Sequence, residues 1–92
     1  MTFMLLDVEA VSEVQDQMVK KQAHVMERIT AMTGAVQGLE EGAWVGNSAT
    51  LFFQEYYTWN AAWKLEMDLM RALADRMRRE ISEWKEAAAR LG

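Results

Sequence analysis

The side chains that could hold a metal or transfer a proton are few and widely spaced. His24 is the only histidine, and Glu27 follows it by three residues, which places both on one face of a helix. A helical metal site needs three or four such ligands, and the sequence has no cysteine and no second histidine to complete one. We therefore expect no metal and no cofactor, and interpret His24 as a surface residue near Lys20 and Lys21.

Paired carboxylates are the other candidates for chemistry. Glu40, Glu41 and Glu55 could serve as a general acid and base, but no apolar residues surround Glu40 and Glu41 to tune them for that role. The glycines recur every four residues at the end of a helical pattern, which is not a phosphate-binding loop. We expect no catalytic residues and predict that the protein is not an enzyme.

Composition favours long helices. The 92 residues suffice for one domain, 1–92, with 51% hydrophobic residues, no proline and no cysteine. That content is too apolar for intrinsic disorder, and the absence of proline favours uninterrupted helices. A chain this short buries only about 60% of its unfolded surface, so it is expected to need a partner for stability.

Charge and hydropathy exclude two classes of partner. The net charge is −4, from 10 basic and 14 acidic residues, which disfavours nucleic-acid binding. The cluster Arg71, Arg76, Arg78 and Arg79 is interleaved with acidic residues and reads as a solvated, ion-paired helix face. No stretch is apolar enough to insert stably into a membrane, and the N-terminus lacks the basic start of a signal peptide. We expect synthesis in the cytoplasm and export, if any, without a cleavable signal.

The element boundaries follow from the central glycines. Helix one is predicted over about 7–41, a turn over about 42–47, and helix two over about 48–91, with Asn47 or Ser48 capping the second helix. Two long helices joined by a short turn form an antiparallel hairpin. Folding at the turn would bring the acidic start of helix one near the basic end of helix two.

Helix two carries a strong apolar stripe at alternating steps of four and three residues, as in a coiled coil. Its predicted hairpin or dimer packing residues are Phe53, Tyr56, Trp63, Met67, Met70, Met77, Ile81 and Trp84. Asn60 is the one polar member, and it either fixes the register of the bundle or points outward. Most of the eight methionines sit at core spacing, although they could also form an adaptable binding surface.

Helix one has a weaker seven-residue repeat, running through Val11, Met18, Val25, Met32 and Leu39. Helix two is apolar around so much of its circumference that one neighbour cannot cover it. The predicted fold class is therefore all-α: a helical hairpin that dimerises into a four-helix bundle.

The turn carries a family resemblance. Trp44-Val45-Gly46 lies midway between two proline-free helices, and aromatic residues follow the tryptophan by eight and fifteen positions, at Phe52 and Trp59. This pattern resembles the WXG family of small type VII secretion proteins, typified by the early secreted antigenic target of mycobacteria. Physically, Gly46 lets the chain reverse tightly, and the Trp44 ring can cap the end of the hairpin core.

The resemblance implies a function. It implies a secreted type VII substrate or co-substrate, recognised by a membrane secretion ATPase through a surface that includes Trp44 and Gly46. The partner would be a second copy, giving a homodimer, or a sister WXG protein or toxin, giving a heterodimer. Alternatively, Trp44 only plugs the end of the hairpin and has no part in secretion.

One departure from the family pattern keeps a second function open. Many exported members carry Tyr-x-x-x-Asp/Glu after helix two, whereas here Asn60 and Ala61 follow Tyr56 and Tyr57 by four residues. A partner chain could supply the missing signal. The alternative function is therefore an intracellular partner or targeting chaperone that pairs with the helical N-terminal domain of a larger secreted toxin.

Overall fold

The computed structural model describes residues 7–91, and its first helix, α1, spans Val8–Gly38. The helix begins at Asp7, whose side-chain Oδ1 accepts a hydrogen bond from the Ala10 N–H at 3.1 Å. The Asp7 carbonyl accepts from the Val11 N–H at 3.0 Å. Asp7 therefore satisfies backbone donors that a helix start leaves unpaired, which explains why α1 begins here.

The reversal is built from a π-helical turn and a short extended segment. The π-helical turn spans Leu39–Ala43, and the Trp44 N–H donates to the Leu39 carbonyl at 3.0 Å. Gly42 and Gly46 have φ angles of 144° and 128°, a region that side chains on Cβ disfavour. The reversal thus starts a few residues earlier than the predicted turn at 42–47.

The second helix, α2, spans Asn47–Leu91. Its first carbonyl acceptor is that of Gly46, which receives the Thr50 N–H at 3.0 Å and the Thr50 hydroxyl at 3.2 Å. Gly46 is therefore the N-cap residue, and the expected side-chain cap from Asn47 or Ser48 does not occur among the hydrogen bonds of residues 7–91. The 45-residue helix dominates the shape of the molecule, whose longest extent is 69 Å.

The two helices pack antiparallel in one regular register, so the predicted all-α hairpin is confirmed. The Thr33 hydroxyl and the Tyr56 hydroxyl lie 2.9 Å apart, and the Gln22 amide donates to the Met67 carbonyl at 3.3 Å. In both pairs the residue numbers add to 89, which defines the alignment along the whole seam. No helix within the described residues is long and apolar enough to cross a membrane.

The contact surface between α1 and α2, here called the seam, is narrow. It buries mostly one line of residues on each helix. Its buried members are Ile29 and Val36 from α1, and Ala49, Phe53, Tyr56, Asn60, Met67, Ala74 and Ile81 from α2. Asn60 is 6% exposed, so it lies inside the seam and does not point outward. Its Oδ1 atom has no hydrogen-bond partner.

Charge does not tie the helices together. Across residues 7–91, ion pairs join Arg71 and Arg78 to Asp75, all on α2, at 3.4 and 3.9 Å. The expected pairing of the acidic start of α1 with the basic end of α2 does not reach ion-pair distance. The hairpin is therefore held by its apolar seam and a few side-chain hydrogen bonds.

Candidate partner-binding surface

A continuous row of aromatic rings runs from the turn along the first third of α2. Its members, here called the aromatic row, are Trp44, Phe52, Phe53, Tyr56, Tyr57, Trp59 and Trp63, with successive ring centroids 5.1–6.4 Å apart. Those separations are typical of favourable aromatic pairs. Because they occur at every link, the row is a rigid unit that joins the turn to the middle of the molecule.

The turn residues of the row pack on α2 but remain accessible. The Trp44 ring lies 5.1 Å from the Phe52 ring and 5.8 Å from the Phe53 ring, yet Trp44 is 39% exposed. Trp44 therefore covers the end of the hairpin core and remains partly accessible to solvent. Val45, between Trp44 and Gly46, is 82% exposed.

The predicted packing residues divide into two groups. Phe53, Tyr56, Met67 and Ile81 are buried in the seam. The others lie at its edge or outside it: Met70 and Met77 are half-buried, while Trp63 and Trp84 are exposed. Phe52 and Trp59 are also exposed. Within the hairpin, α1 therefore covers about half of the predicted packing residues of α2.

Trp63 and other exposed residues beside the stripe form one apolar flank of α2. We define the apolar flank by its exposed large members: Leu51, Phe52, Trp59, Trp63, Leu69 and Leu73. At about 100° per residue they all fall on the same side of the helix, adjoining the seam. Isolated exposed apolar residues are ordinary, whereas a contiguous row that includes two tryptophans is a candidate interaction surface.

An open groove of about 590 Å³ lies along this flank and is here called the α2 groove. It is lined by Met18 from α1 and by Trp59, Ala62, Trp63, Glu66, Met67, Leu69, Met70 and Leu73 from α2. Three of the lining residues are methionines, whose flexible thioethers adapt to the surface of a bound helix. The sequence indicated the aromatic members, whereas Leu69 and Glu66 lie off the apolar stripe.

A second, smaller groove lies beside the turn. It is bordered by Trp44, Val45, Gly46 and Tyr57, and by Glu40 at the end of α1. The Tyr57 hydroxyl donates to a Glu40 carboxylate oxygen at 2.6 Å, and this hydrogen bond, followed by desolvation, raises the pKa of Tyr57 above its ordinary value. The hydrogen bond connects the π-helical turn to α2 across the reversal.

The residues considered for chemistry are placed apart. The Arg28 Nε–H donates to His24 Nε2 at 3.0 Å, which occupies that histidine nitrogen. Glu40 is engaged by Tyr57 rather than by Glu55. Within residues 7–91, no three His, Cys, Asp or Glu side chains are grouped so that they could hold a metal ion.

Comparison of the chain with protein-family models, with curated proteins and with solved structures finds no match. The surface must therefore be interpreted from its own geometry.

Proposed function

We propose that this chain is a non-enzymatic type VII secretion substrate or co-substrate, which pairs with a second helical hairpin and is recognised by the secretion ATPase. The observation that carries the proposal is the apolar flank of α2. Trp59 and Trp63 are 41% and 38% exposed, and Leu69 and Leu73 are each more than half exposed. Contiguous exposed apolar surfaces of this kind are typical of protein–protein interaction sites.

The energetics favour pairing with a helix. Fully burying one large apolar side chain contributes about 1.5–3 kcal/mol, so covering even half of the flank contributes several kcal/mol. That gain is comparable to the whole stability of a typical small domain. The groove is elongated along the helix axis and lined almost wholly by apolar side chains, which suits a partner helix in a four-helix bundle.

The turn supports recognition by a second protein. The resemblance to the WXG family rests on Trp44, Gly46, Phe52 and Trp59, and the first three lie together at the reversal. Trp44 keeps an accessible face, and Val45 projects into solvent beside it. A rigid end that presents exposed apolar side chains is a suitable docking point for the ATPase, separate from the α2 groove.

A second function stays open on one observation. Both tyrosines of the sequence are followed, four residues on, by a residue other than Asp or Glu. The usual form of the family's export signal does not occur in this sequence, and a degenerate signal or a partner chain could take its place. In this alternative the chain acts inside the cell as a partner or targeting chaperone for the helical N-terminal domain of a larger secreted toxin.

The test is export in wild-type cells and in cells without the secretion ATPase. If the proposal holds, the protein accumulates in the medium of wild-type cells and is lost from the medium of the ATPase mutant. Retention in the cytosol of wild-type cells, with recovery of a toxin on purification, would instead support the chaperone function.

Variants connect export with the flank. The double variant Leu69→Lys and Leu73→Lys should abolish pairing and export while leaving the helical signal in circular dichroism unchanged, because both side chains are exposed in the hairpin. Ala72→Lys, on the exposed polar side of α2, is the matched control and should be exported normally. Export of the double variant at wild-type levels would show that the flank is not needed.

A further inference from the structure

The lining of the α2 groove contains a single charged residue, Glu66, and its neighbours on the helix are apolar. The neighbours one turn away on the helix are Ala62, Trp63, Leu69 and Met70, all apolar. The ion pairs of the described chain lie elsewhere on α2, so Glu66 is not neutralised within the hairpin. In the free hairpin its side chain is exposed and its carboxylate is hydrated by solvent.

The charged side chains on this side of α2 are all acidic. Glu55 and Glu66 are three helical turns apart and point about 20° from each other, and Glu80 points about 40° from Glu66. None of the seven basic residues of α2 falls in the arc between Trp63 and Leu69 that contains these acids. The apolar flank is therefore marked by negative charge alone.

A helix that covers the groove removes water from Glu66. An ionised carboxylate taken out of water is destabilised strongly unless a cationic group replaces the lost hydration. We infer that the partner is a different chain whose interface helix carries an arginine or lysine within its apolar face, placed to pair with Glu66. This inference rests on the proposed pairing and specifies the chemistry of the partner.

A second copy of α2 does not satisfy this requirement. Glu66 lies three residues from Leu69, the midpoint of the helix Asn47–Leu91. When two copies of α2 pair antiparallel about a two-fold axis with full overlap, Leu69 faces its own copy and Glu66 faces position 72 of the other copy. The two Glu66 side chains would then lie about 9 Å apart along the helix axis, and the second apolar flank would bring no basic residue to either of them. Both carboxylates would lose water without gaining a counter-charge, which disfavours the homodimer.

The basic residues of α1 offer a second copy another route. Lys20, Lys21 and Arg28 are the bases of α1, and Arg28 already donates its Nε–H to His24 at 3.0 Å. A copy that placed α1 over the groove would have to bring Lys21 or Arg28 to Glu66. The experiment below distinguishes this arrangement from a different partner chain.

The probes are three synthetic amphipathic helical peptides, each about four heptads long, with identical apolar faces. They differ at one central position of that face, which is arginine, leucine or glutamate. Binding to the full-length protein is measured by isothermal titration calorimetry. We expect the arginine peptide to bind at least about tenfold more tightly than the glutamate peptide, because close interfacial charge pairs couple by that much or more.

Matched variants assign the preference to one carboxylate. Glu66→Gln should remove most of the difference between the arginine and glutamate peptides. Asp68→Asn removes a charge two residues away, on the polar side of α2, and should preserve the difference. Glu66→Leu should increase self-association in light scattering, since it removes the carboxylate that a homodimer would take out of water without a counter-charge.

Three results would overturn the inference. The first is equal binding of the arginine and glutamate peptides, or binding of neither. The second is a Glu66→Leu variant that self-associates no more than the wild type. The third is a tight wild-type homodimer that is lost on Lys21→Gln and Arg28→Gln, which would show that a second copy supplies the base. These measurements use purified protein and do not depend on export. The inference about Glu66 can therefore be refuted while export by the ATPase is observed, and it can be supported while export is not observed.

Discussion

Replacing Gly46 or Gly34 by alanine should change the free energy of unfolding in opposite directions. Gly46 has a φ of 128°, whereas Gly34 lies within α1, and the space around both would accept a Cβ atom. Steric contact therefore does not separate the two sites, and the backbone conformation decides. Gly46→Ala should destabilise the hairpin by about 1–2 kcal/mol, the usual cost of a residue held where only glycine is comfortable.

Gly34→Ala should instead stabilise the protein by about 0.5–1 kcal/mol, because alanine loses less chain entropy on entering a helix. For a domain of this size, 1 kcal/mol shifts the melting temperature by about 4–8 °C. We therefore expect Gly46→Ala to melt about 5–15 °C below the wild type and Gly34→Ala to melt a few degrees above it.

The assay is thermal denaturation followed by circular dichroism, with all samples at one protein concentration because association also shifts the melting temperature. A chemically synthesised chain with D-alanine at position 46 provides the strictest control, since a D-residue favours positive φ. It should melt well above Gly46→Ala. If Gly46→Ala melts at or above the wild type, the reversal relaxes to a negative φ, and the reasoning from its backbone is refuted.

Three further predictions follow from the seam and the turn. Asn60→Leu should raise the unfolding free energy by about 1–3 kcal/mol in chemical denaturation, because it removes a buried acceptor that lacks a partner; no gain would mean that Oδ1 is satisfied, for example by a bound water. Ala74→Leu should lower the unfolding free energy by about 1–3 kcal/mol, since Ala74 is fully buried, whereas Ala72→Leu on the exposed side should have little effect. Ultraviolet titration should give Tyr57 a pKa above 10.0, and Glu40→Gln should lower that pKa. The folded-state pKa of Tyr57 is the raised one, so its stabilising contribution is complete below pH 10.0 and is lost as the pH rises through the folded-state value.

The hairpin was predictable because its signals are local and repeated. Four of the eight predicted packing residues lie buried in the seam, in the heptad order that one face of a helix requires. The start of α1 at Asp7 also follows from a common capping residue. A proline-free chain with a central glycine pair leaves few other ways to place two long helices.

The exposure of Trp84 was not predictable from the stripe alone. A straight helix drifts about 20° per heptad relative to a perfect repeat, so a stripe stepped by fours and threes rotates gradually away from a single neighbour. Ile81 stays in the seam while Trp84, one turn later, is 38% exposed. The sequence shows how wide the stripe is, but the second helix decides which half is covered.

The electrostatic details were also beyond the sequence. The expected pairing between helix ends requires rotation as well as register to agree, and α2 instead pairs Arg71 and Arg78 with its own Asp75. The importance of Glu66 depends on which side of α2 remains uncovered. That side is known only once the seam is located.

The single regular register has a consequence for how the chain folds. Contacts next to the turn join residues close in sequence, such as Val36 and Phe53, and each step away from the turn lengthens the intervening loop by two residues. The entropy of closing a loop grows with its length, so the pairs nearest the turn form at the lowest entropic cost. The largest buried cluster, Val36 with Ala49, Phe53 and Tyr56, is also there. The hairpin should therefore zip from the turn outward, and its far end should open first in amide hydrogen exchange.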